Sequence, residues 1–225
     1  MNPRVAIVGV GGLGAPAAAT LANAGAAMTL FDPDRVELSN LPRQPLYGHG
    51  DLGATKVESA AKRLRAVHPR LDVEVREVRI DRENACGLLR EHHAVVDATD
   101  GLETKALLND VALELGIPLI HAGAVGLDGQ LMTILPHRTA CLRCLFVELP
   151  EEDELPTCQQ SGILGPVVGA VGLAAAREAL RILEGRPPPL EGRLGILDGT
   201  SLRWRTLELS RNPSCPACAA RDGAN

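Results

Sequence analysis

Residues 5–14 read Val-Ala-Ile-Val-Gly-Val-Gly-Gly-Leu-Gly, an apolar run that leads directly into glycines at positions 9, 11, 12 and 14. An alanine-rich stretch, 15–24, follows. The spacing Gly-x-Gly-x-x-Gly between a strand and a helix predicts a tight turn whose backbone closely approaches a ligand phosphate. The helix that begins there offers free N–H groups and the positive end of its dipole to an anion. The sequence thus predicts a nucleotide-phosphate cradle, with NAD, FAD, ATP and a ligand-free glycine turn all open as interpretations.

The composition is that of a globular protein, with 45% hydrophobic residues among 225. This length suffices for one sizeable core, so we expect a single domain over 1–225. The net charge of -5 and the aromatic content of 2% argue against nucleic acid as a partner. No apolar run has the length of a membrane span, so we expect a cytoplasmic protein with no membrane partner. In that reducing compartment, six cysteines indicate metal ligands or reactive thiols rather than disulfides.

Strand-like and helix-like segments alternate through the first half of the chain, which indicates a Rossmann-like, doubly wound, mostly parallel sheet. Antiparallel strands and a long apolar helix follow. The predicted strands are 5–8, 28–31, 73–76, 94–97, 118–120, 129–135, 194–198 and 202–209. The predicted helices are 13–24, 55–67, 82–91, 102–115 and 167–183. We expect a nucleotide-binding part over 1–135 and a second part over 136–225 that carries two cysteine pairs.

An acid and two cations accompany the glycine turn. Asp32 ends the second predicted strand, where an acid accepts hydrogen bonds from ribose hydroxyls, although it also suits a turn or a helix cap. A dehydrogenase would satisfy the same pattern. Arg43, in the long loop 33–52, and Lys56, at the start of the next helix, add two cations near the turn. Two cations favour an enzyme that breaks a triphosphate, because charge builds on the departing pyrophosphate. The alternative for each is an ordinary solvated surface charge.

The sequence Asp97-Ala98-Thr99-Asp100 follows a buried strand, at the edge where open α/β sheets place their ligands. An acid beside a triphosphate is a natural Mg²⁺ ligand. The alternative is that Thr99 or Asp100 caps the helix that begins at Leu102. Helix capping and metal binding can also be shared between the two acids, Asp97 and Asp100.

Two Cys-x-x-Cys pairs indicate a metal site. Each pair chelates from one turn, and together they complete a tetrahedral site with no open position, which indicates a structural metal. A redox function is the alternative, but neither pair opens a helix after a strand as that chemistry requires. The four residues are Cys141, Cys144, Cys215 and Cys218.

Two cysteines are left over. Cys86 lies in a short amphipathic segment and suits the core. Cys158 lies in a polar loop before an apolar helix, where a helix N-terminus favours the thiolate, so it is a candidate catalytic thiol.

These motifs, taken in order, resemble the ThiF/MoeB/HesA group, the bacterial relatives of ubiquitin-activating E1 enzymes, over nearly the whole chain. The stretch 157–169, with Cys158 and the run Gly-Ile-Leu-Gly-Pro-Val-Val-Gly, is most similar to ThiF. The other segments that carry the resemblance are the glycines 9–14, Ser-Asn-Leu-Pro-Arg-Gln at 39–44, residues 53–57, Thr99-Asp100, Gly-Ala-Val-Gly at 123–126 and the two cysteine pairs.

The resemblance implies an E1-like adenylyltransferase. It would use ATP and Mg²⁺ to adenylate the C-terminal glycine of a ubiquitin-like, ThiS-like sulfur carrier with a Gly-Gly tail, for thiamine thiazole synthesis or related sulfur transfer. In this interpretation Asp100 helps to hold Mg²⁺, while Arg43 and Lys56 stabilise phosphate charge. The implied ATP site comprises Gly9, Gly11, Gly12, Gly14, Asp32, Ser39, Asn40, Arg43, Gln44, Lys56, Thr99 and Asp100.

The resemblance also implies Zn²⁺ at the four paired cysteines, a homodimer and a sulfur donor protein. Cys158 matches the ThiF-type cysteine that links to the carrier by an acyl-disulfide. The family usually has an N-terminal helical segment whose arginine reaches the neighbouring subunit's ATP. With the first strand starting by residue 4, we expect that contact to be missing. The alternatives are activation of a MoaD-like or other carrier, an NAD(P)-linked Rossmann enzyme, and a nucleotide-binding regulator without full catalysis.

Overall fold

The computed structural model describes residues 3–146 and 163–219, in which eight strands form one sheet. The strands are β1 (Arg4–Val8), β2 (Ala27–Phe31), β3 (Val73–Arg76), β4 (Ala94–Asp97), β5 (Leu119–Val125), β6 (Asp128–Ile134), β7 (Arg193–Asp198) and β8 (Arg203–Glu208). The described helices are α1 (Gly14–Asn23), α2 (Lys56–Val67), α3 (Ala85–Leu89), α4 (Leu102–Leu115), α5 (Leu142–Leu145) and α6 (Gly165–Leu183), with 3-10 helices at Leu38–Arg43 and His49–Asp51. None of the helices in these described ranges has the length and apolar character to cross a bilayer.

The strand order is β3-β2-β1-β4-β5-β6-β7-β8, with β1 to β5 parallel and β6 to β8 antiparallel. The winding changes direction between β1 and β4, where the carboxyl ends of neighbouring strands open a crevice. Hydrogen bonding continues to its rim: Gly9 N–H donates to the Phe31 carbonyl at 2.8 Å, and Ala98 N–H donates to that of Val8 at 2.9 Å. The predicted doubly wound fold with antiparallel C-terminal strands is confirmed.

The apolar run 5–8 of β1 follows from burial on both faces of the sheet. Val5 and Ile7 belong to a hydrophobic cluster shared with α1, α2 and α6. Ala6 and Val8 belong to a second cluster shared with α3 and α4. A parallel strand between two helical layers has no solvent-facing side, so its residues do not alternate between polar and apolar.

Helix α6 packs against the start of α1, directly behind the glycine turn. A Cβ atom added to Gly172 would lie 2.3 Å from the Leu13 carbonyl oxygen, so only glycine allows this approach. A Cβ atom on Gly12 would lie 3.1 Å from the Val168 side chain. The small residues of α6 therefore let its N-terminal half lie against the glycine turn.

Two predicted elements differ in extent from those observed. The strand predicted at 118–120 is β5, which continues to Val125 because seven of its residues pair with β6. The helix predicted at 82–91 is confined to α3, Ala85–Leu89. The predicted late hairpin is confirmed, since β7 and β8 pair across residues 199–202.

Candidate active site

The glycine turn between β1 and α1 lies at the crevice. Gly9 has φ +87°, and a Cβ atom there would lie 2.7 Å from the Ala98 carbonyl oxygen. A Cβ atom on Gly14 would lie 1.9 Å from the Gly9 carbonyl oxygen. Gly9 and Gly14 are therefore required by the turn itself and by its contact with the loop after β4. This contact places the two loops side by side.

Two buried side chains hold the peptide groups of Val10, in the middle of the turn. Asp32 Oδ2 accepts the Val10 N–H at 2.7 Å, and Asp32 Oδ1 accepts the Asp34 N–H at 2.8 Å. The Tyr47 hydroxyl donates to the Val10 carbonyl at 2.6 Å. Asp32 therefore acts as a turn residue, the alternative set beside ribose binding, and its contact with ribose stays a prediction. The contact of Tyr47 with Val10 was not predicted from the sequence, because no local pattern connects these two residues.

The segment 39–44 lies against the turn and presents one unpaired acceptor. A Cβ atom on Gly12 would lie 3.4 Å from the Arg43 carbonyl oxygen, and one on Gly11 would lie 3.4 Å from Gln44 Nε2. Asn40 and Gln44 are both buried. Gln44 Oε1 has no hydrogen-bond partner within the part of the chain that the structure describes. A buried acceptor without a donor costs about 1–3 kcal/mol, so this atom suits a ligand donor, such as the adenine amino group or a ribose hydroxyl of ATP.

The two predicted cations have different environments. Lys56 begins α2 and is 7% exposed, which rules out the surface-charge interpretation for it. Its ammonium group donates to Asp34 Oδ2 at 2.8 Å. Burial raises the pKa of Asp32, and the nearby Lys56 charge offsets part of that rise. The half-buried Arg43 donates to the Ser39 carbonyl at 2.9 Å through one nitrogen, which leaves further donors of its guanidinium group for a ligand.

The two acids after β4 have opposite surroundings. The Asp97 carboxylate is fully buried and hydrogen-bonded, and the Thr99 hydroxyl donates to it at 2.7 Å. Asp100 is exposed, and its side chain forms no hydrogen bond or ion pair with residues 3–146 or 163–219. The N-cap of α4 is Gly101 and no side chain caps the helix, so the capping interpretation of Thr99 and Asp100 is wrong. Asp100 is the acid available to a ligand.

The paired cysteines meet in one cluster, as predicted. Their Sγ atoms all lie within 4.8 Å of one another, with Cys141 Sγ 3.6 Å from Cys215 Sγ and Cys144 Sγ 3.5 Å from Cys218 Sγ. Zinc–sulfur bonds of about 2.3 Å in a tetrahedron place sulfur atoms about 3.8 Å apart, so the cluster fits Zn²⁺. The sulfurs are too far apart for a disulfide, and the thiols are free.

Helix α4 holds the first cysteine pair in place. Asn109 Oδ1 accepts the Leu142 N–H at 2.9 Å. Arg143 donates to both carboxylate oxygens of Asp110, at 3.2 and 2.8 Å. These contacts were not predicted from the sequence. The signal that was present is the pair of adjacent polar residues, Asn109 and Asp110, in a predicted helix.

Of the two remaining cysteines, only Cys86 lies in the part of the chain that the structure describes. Cys158 lies outside the described residues, so its catalytic role stays a prediction. Cys86 is half-buried and packs against the second hydrophobic cluster, and its Sγ lies 3.7 Å from Glu114 Oε1. Cys86 therefore borders the core, whereas the sequence predicted that it would lie within it.

Comparison with known proteins shows the family to which the chain belongs. The ThiF family matches residues 1–217. The chain is 41% identical over 221 residues to the sulfur carrier protein adenylyltransferase of Thermus thermophilus, covering 95% of this chain and 81% of that protein. It is 38% identical over 220 residues to the sulfur carrier protein ThiS adenylyltransferase of Escherichia coli, covering 97% and 86%. The E. coli MccB structure with ATP shares the fold, with TM-score 0.85, 21% identity, and coverage of 96% of this chain and 67% of that one.

Proposed function

The chain belongs to the ThiF family, and on that premise we propose that it uses ATP to adenylate the C-terminal glycine of a ubiquitin-like sulfur carrier. Two of its relatives are named as sulfur carrier protein adenylyltransferases, and one of these names specifies ThiS. The thiamine context follows from that ThiS-specific relative. A MoaD-like carrier is the alternative substrate of the same reaction.

The observation that carries this proposal is the exposed, unpaired Asp100 beside the glycine turn. A Cβ atom on Gly9 would lie 3.2 Å from the Thr99 nitrogen, so the loop that bears Asp100 abuts the phosphate cradle. A free carboxylate there repels a phosphate unless a cation lies between them. Mg²⁺ bound to a triphosphate satisfies this requirement, whereas the pyrophosphate of a dinucleotide brings no such cation. The position of Asp100 therefore favours ATP over NAD or FAD.

The proposed roles follow from the surroundings of each residue. Asp100 holds Mg²⁺, and Arg43 and Lys56 stabilise the phosphate charge. The buried Gln44 acceptor binds a donor of the nucleotide, and Asp32 reaches the ribose while it holds the turn. The remaining residues proposed to line the ATP site are Gly9, Gly11, Gly12, Gly14, Ser39, Asn40 and Thr99.

ATP supplies an activated adenylyl group: the attacking oxygen bonds to the α-phosphorus while the bond to the β-phosphate breaks, and pyrophosphate leaves. The attacking group, the C-terminal carboxylate of the carrier, is already an anion and needs no general base. The residues of the chain therefore bind, orient and stabilise charge, rather than move a proton. We assign Arg43 and Lys56 to this task, since fixed cations stabilise the negative charge that develops on the departing phosphates.

Further roles rest on the resemblance and the cysteine cluster. We propose that the cluster holds a structural Zn²⁺ that pins the C-terminal residues to the start of α5, and that 1–225 is one adenylation domain. We also propose a homodimer, a sulfur donor protein as second partner, a role for Cys158 in sulfur transfer after adenylation, and a cytoplasmic location.

Carrier-dependent exchange of labelled pyrophosphate into ATP tests the function. A carrier that ends in Gly-Gly should support exchange, and the same carrier without its last glycine should not. Asp100→Asn should lower kcat/KM about 100-fold or more, since it removes a charge that acts on the transition state. Glu103→Gln, an exposed acid in the first turn of α4, is the matched control and should retain activity. Exchange that is absent with every Gly-Gly carrier, or unchanged in Asp100→Asn, contradicts the proposal.

A further inference from the structure

The buried carboxylate of Asp97 has no part in the reaction proposed above, yet it collects five donor contacts. Its Oδ2 lies 2.9 Å from His121 Nδ1 and 3.3 Å from Lys105 Nζ. Its Oδ1 lies 3.4 Å from Lys105 Nζ and accepts both the N–H and the hydroxyl of Thr99, at 3.1 and 2.7 Å. Asp97 is completely inaccessible to solvent. Asp97 therefore cannot contact a ligand in solution, and it can affect the active site through the residues to which it is hydrogen-bonded.

The charge of this carboxylate is fixed by its neighbours. Burial alone would raise the pKa of Asp97, but the Lys105 charge and the His121 hydrogen bond outweigh burial and hold it well below its usual range. Burial also lowers the pKa of His121, so the ring is neutral and we assign the proton to Nδ1, which faces an acceptor. Lys105 donates in addition to the Ala122 carbonyl at 2.8 Å. The carboxylate is therefore anchored to both α4 and β5.

Thr99 transmits this anchoring to the active site. Two of its groups, the N–H and the hydroxyl, bind the same Asp97 oxygen, which closes the chain into a turn over 97–99. The Ala98 N–H, bonded to the Val8 carbonyl, ties the same turn to β1. The next residue, Asp100, is exposed at the crevice. A hydroxyl that binds Asp97 points into the protein, so Thr99 shapes the turn in addition to any contact with nucleotide.

We propose that Asp97 is a positioning residue for Asp100: through Thr99 it fixes the turn that directs the Asp100 carboxylate toward the metal-bound phosphates. This inference rests on the proposed function for its ligand, MgATP. Its structural part, the anchored turn, concerns the nucleotide-free protein as well. His121 and Lys105 act one step further back, by keeping Asp97 charged and immobile.

Thr99→Val tests the inference, because it keeps the shape of the side chain and removes the hydroxyl donor. In the nucleotide-free protein, amide hydrogen exchange over residues 98–101 should become faster. Calorimetry should show MgATP binding weakened about tenfold, the consequence of one lost hydrogen bond to a charged group, while ATP binding in EDTA changes little. Thr99→Ser restores the hydroxyl and should restore both measurements.

A matched control separates positioning from general stability. Thr133 also donates its hydroxyl to a buried carboxylate at 2.7 Å, that of Glu178, away from the crevice. Thr133→Val should lower the melting temperature without altering exchange at 98–101 or MgATP binding. A folded Thr99→Val protein with wild-type exchange and wild-type MgATP affinity overturns the inference. If the wild-type protein binds no ATP, the proposed function is wrong, and the exchange comparison still decides whether Asp97 anchors the turn.

Discussion

Tyr47→Phe is the sharpest probe of how the glycine turn is held. The substitution removes one oxygen atom and leaves the ring, which is 5% exposed, packed in the core. The lost hydroxyl is the donor to the Val10 carbonyl, at 2.6 Å. The other peptide group of Val10 stays bonded to Asp32. The variant therefore releases one of the two side-chain contacts that hold the centre of the turn.

The expected magnitude follows from the buried carbonyl that is left without a donor. Such a group lowers the free energy of unfolding by about 1–3 kcal/mol. In a chain of this length each kcal/mol shifts the melting temperature by about 2–4 °C, so a decrease of roughly 2–12 °C is expected. If the turn relaxes in the free protein, ordering it again weakens ATP binding, by up to about tenfold.

Calorimetric unfolding and ATP titration measure the two effects on the same samples. Thr20→Val is the control, since the Thr20 hydroxyl donates to the Pro16 carbonyl at 2.8 Å within α1, beyond the turn. It should leave ATP affinity at the wild-type level. The reasoning fails if Tyr47→Phe unfolds at the wild-type temperature, or if it loses stability but binds ATP as tightly as the wild type. In the second case the hydroxyl serves the core and not the turn.

Two further variants and one treatment address the rest of the chain. Removal of metal by a strong chelator should lower the melting temperature, and Zn²⁺ should restore it, because the cluster joins distant segments. Asn109→Ala should lose Zn²⁺ more readily in competition with a chromogenic chelator, since the Leu142 N–H loses its acceptor; equal retention contradicts this role. Burial raises the pKa of Glu178 in the folded protein above the ordinary value that it has in the unfolded chain. Between these two pKa values the folded state binds more protons than the unfolded state, so the wild type should lose stability as the pH rises through that range. Glu178→Gln should unfold in urea with a smaller decline between pH 5 and 8, and an equal decline would exclude Glu178 as the source.

The features that were predicted correctly from the sequence depend either on neighbouring residues or on the number of ligands that a metal requires. The run from Val5 to Gly14 specifies strand, turn and helix within a few residues of itself. The two cysteine pairs are separated by many residues, but a metal with four ligands requires both pairs, so their meeting followed from coordination chemistry. The capping interpretation of Thr99 and Asp100 failed because Gly101, which has no side chain, occupies the N-cap position.

The features that the sequence could not predict depend on contacts between distant residues. Tyr47 and Val10 are 37 positions apart, and His121 and Asp97 are 24 apart. No periodicity or spacing rule relates these pairs, since each contact exists only after the sheet has formed. Asp97 and Asp100 are equivalent in type and close in sequence. Only their surroundings distinguish the anchored acid from the free one, since Asp97 is completely buried and Asp100 is exposed.

The polar groups of the site that have no hydrogen-bond partner indicate which chemical groups a ligand must supply. Asp97, Asp32 and Tyr47 form hydrogen bonds with backbone and side-chain groups of the chain, and these bonds hold the loops that follow β1 and β4. Among the described residues, Gln44 Oε1 and the Asp100 carboxylate retain unused capacity at that crevice, one an acceptor and the other an anion. A ligand that satisfies both must offer hydrogen-bond donors and a cation together. A nucleoside triphosphate with its magnesium ion would offer both, which is why we propose it as the ligand of this crevice.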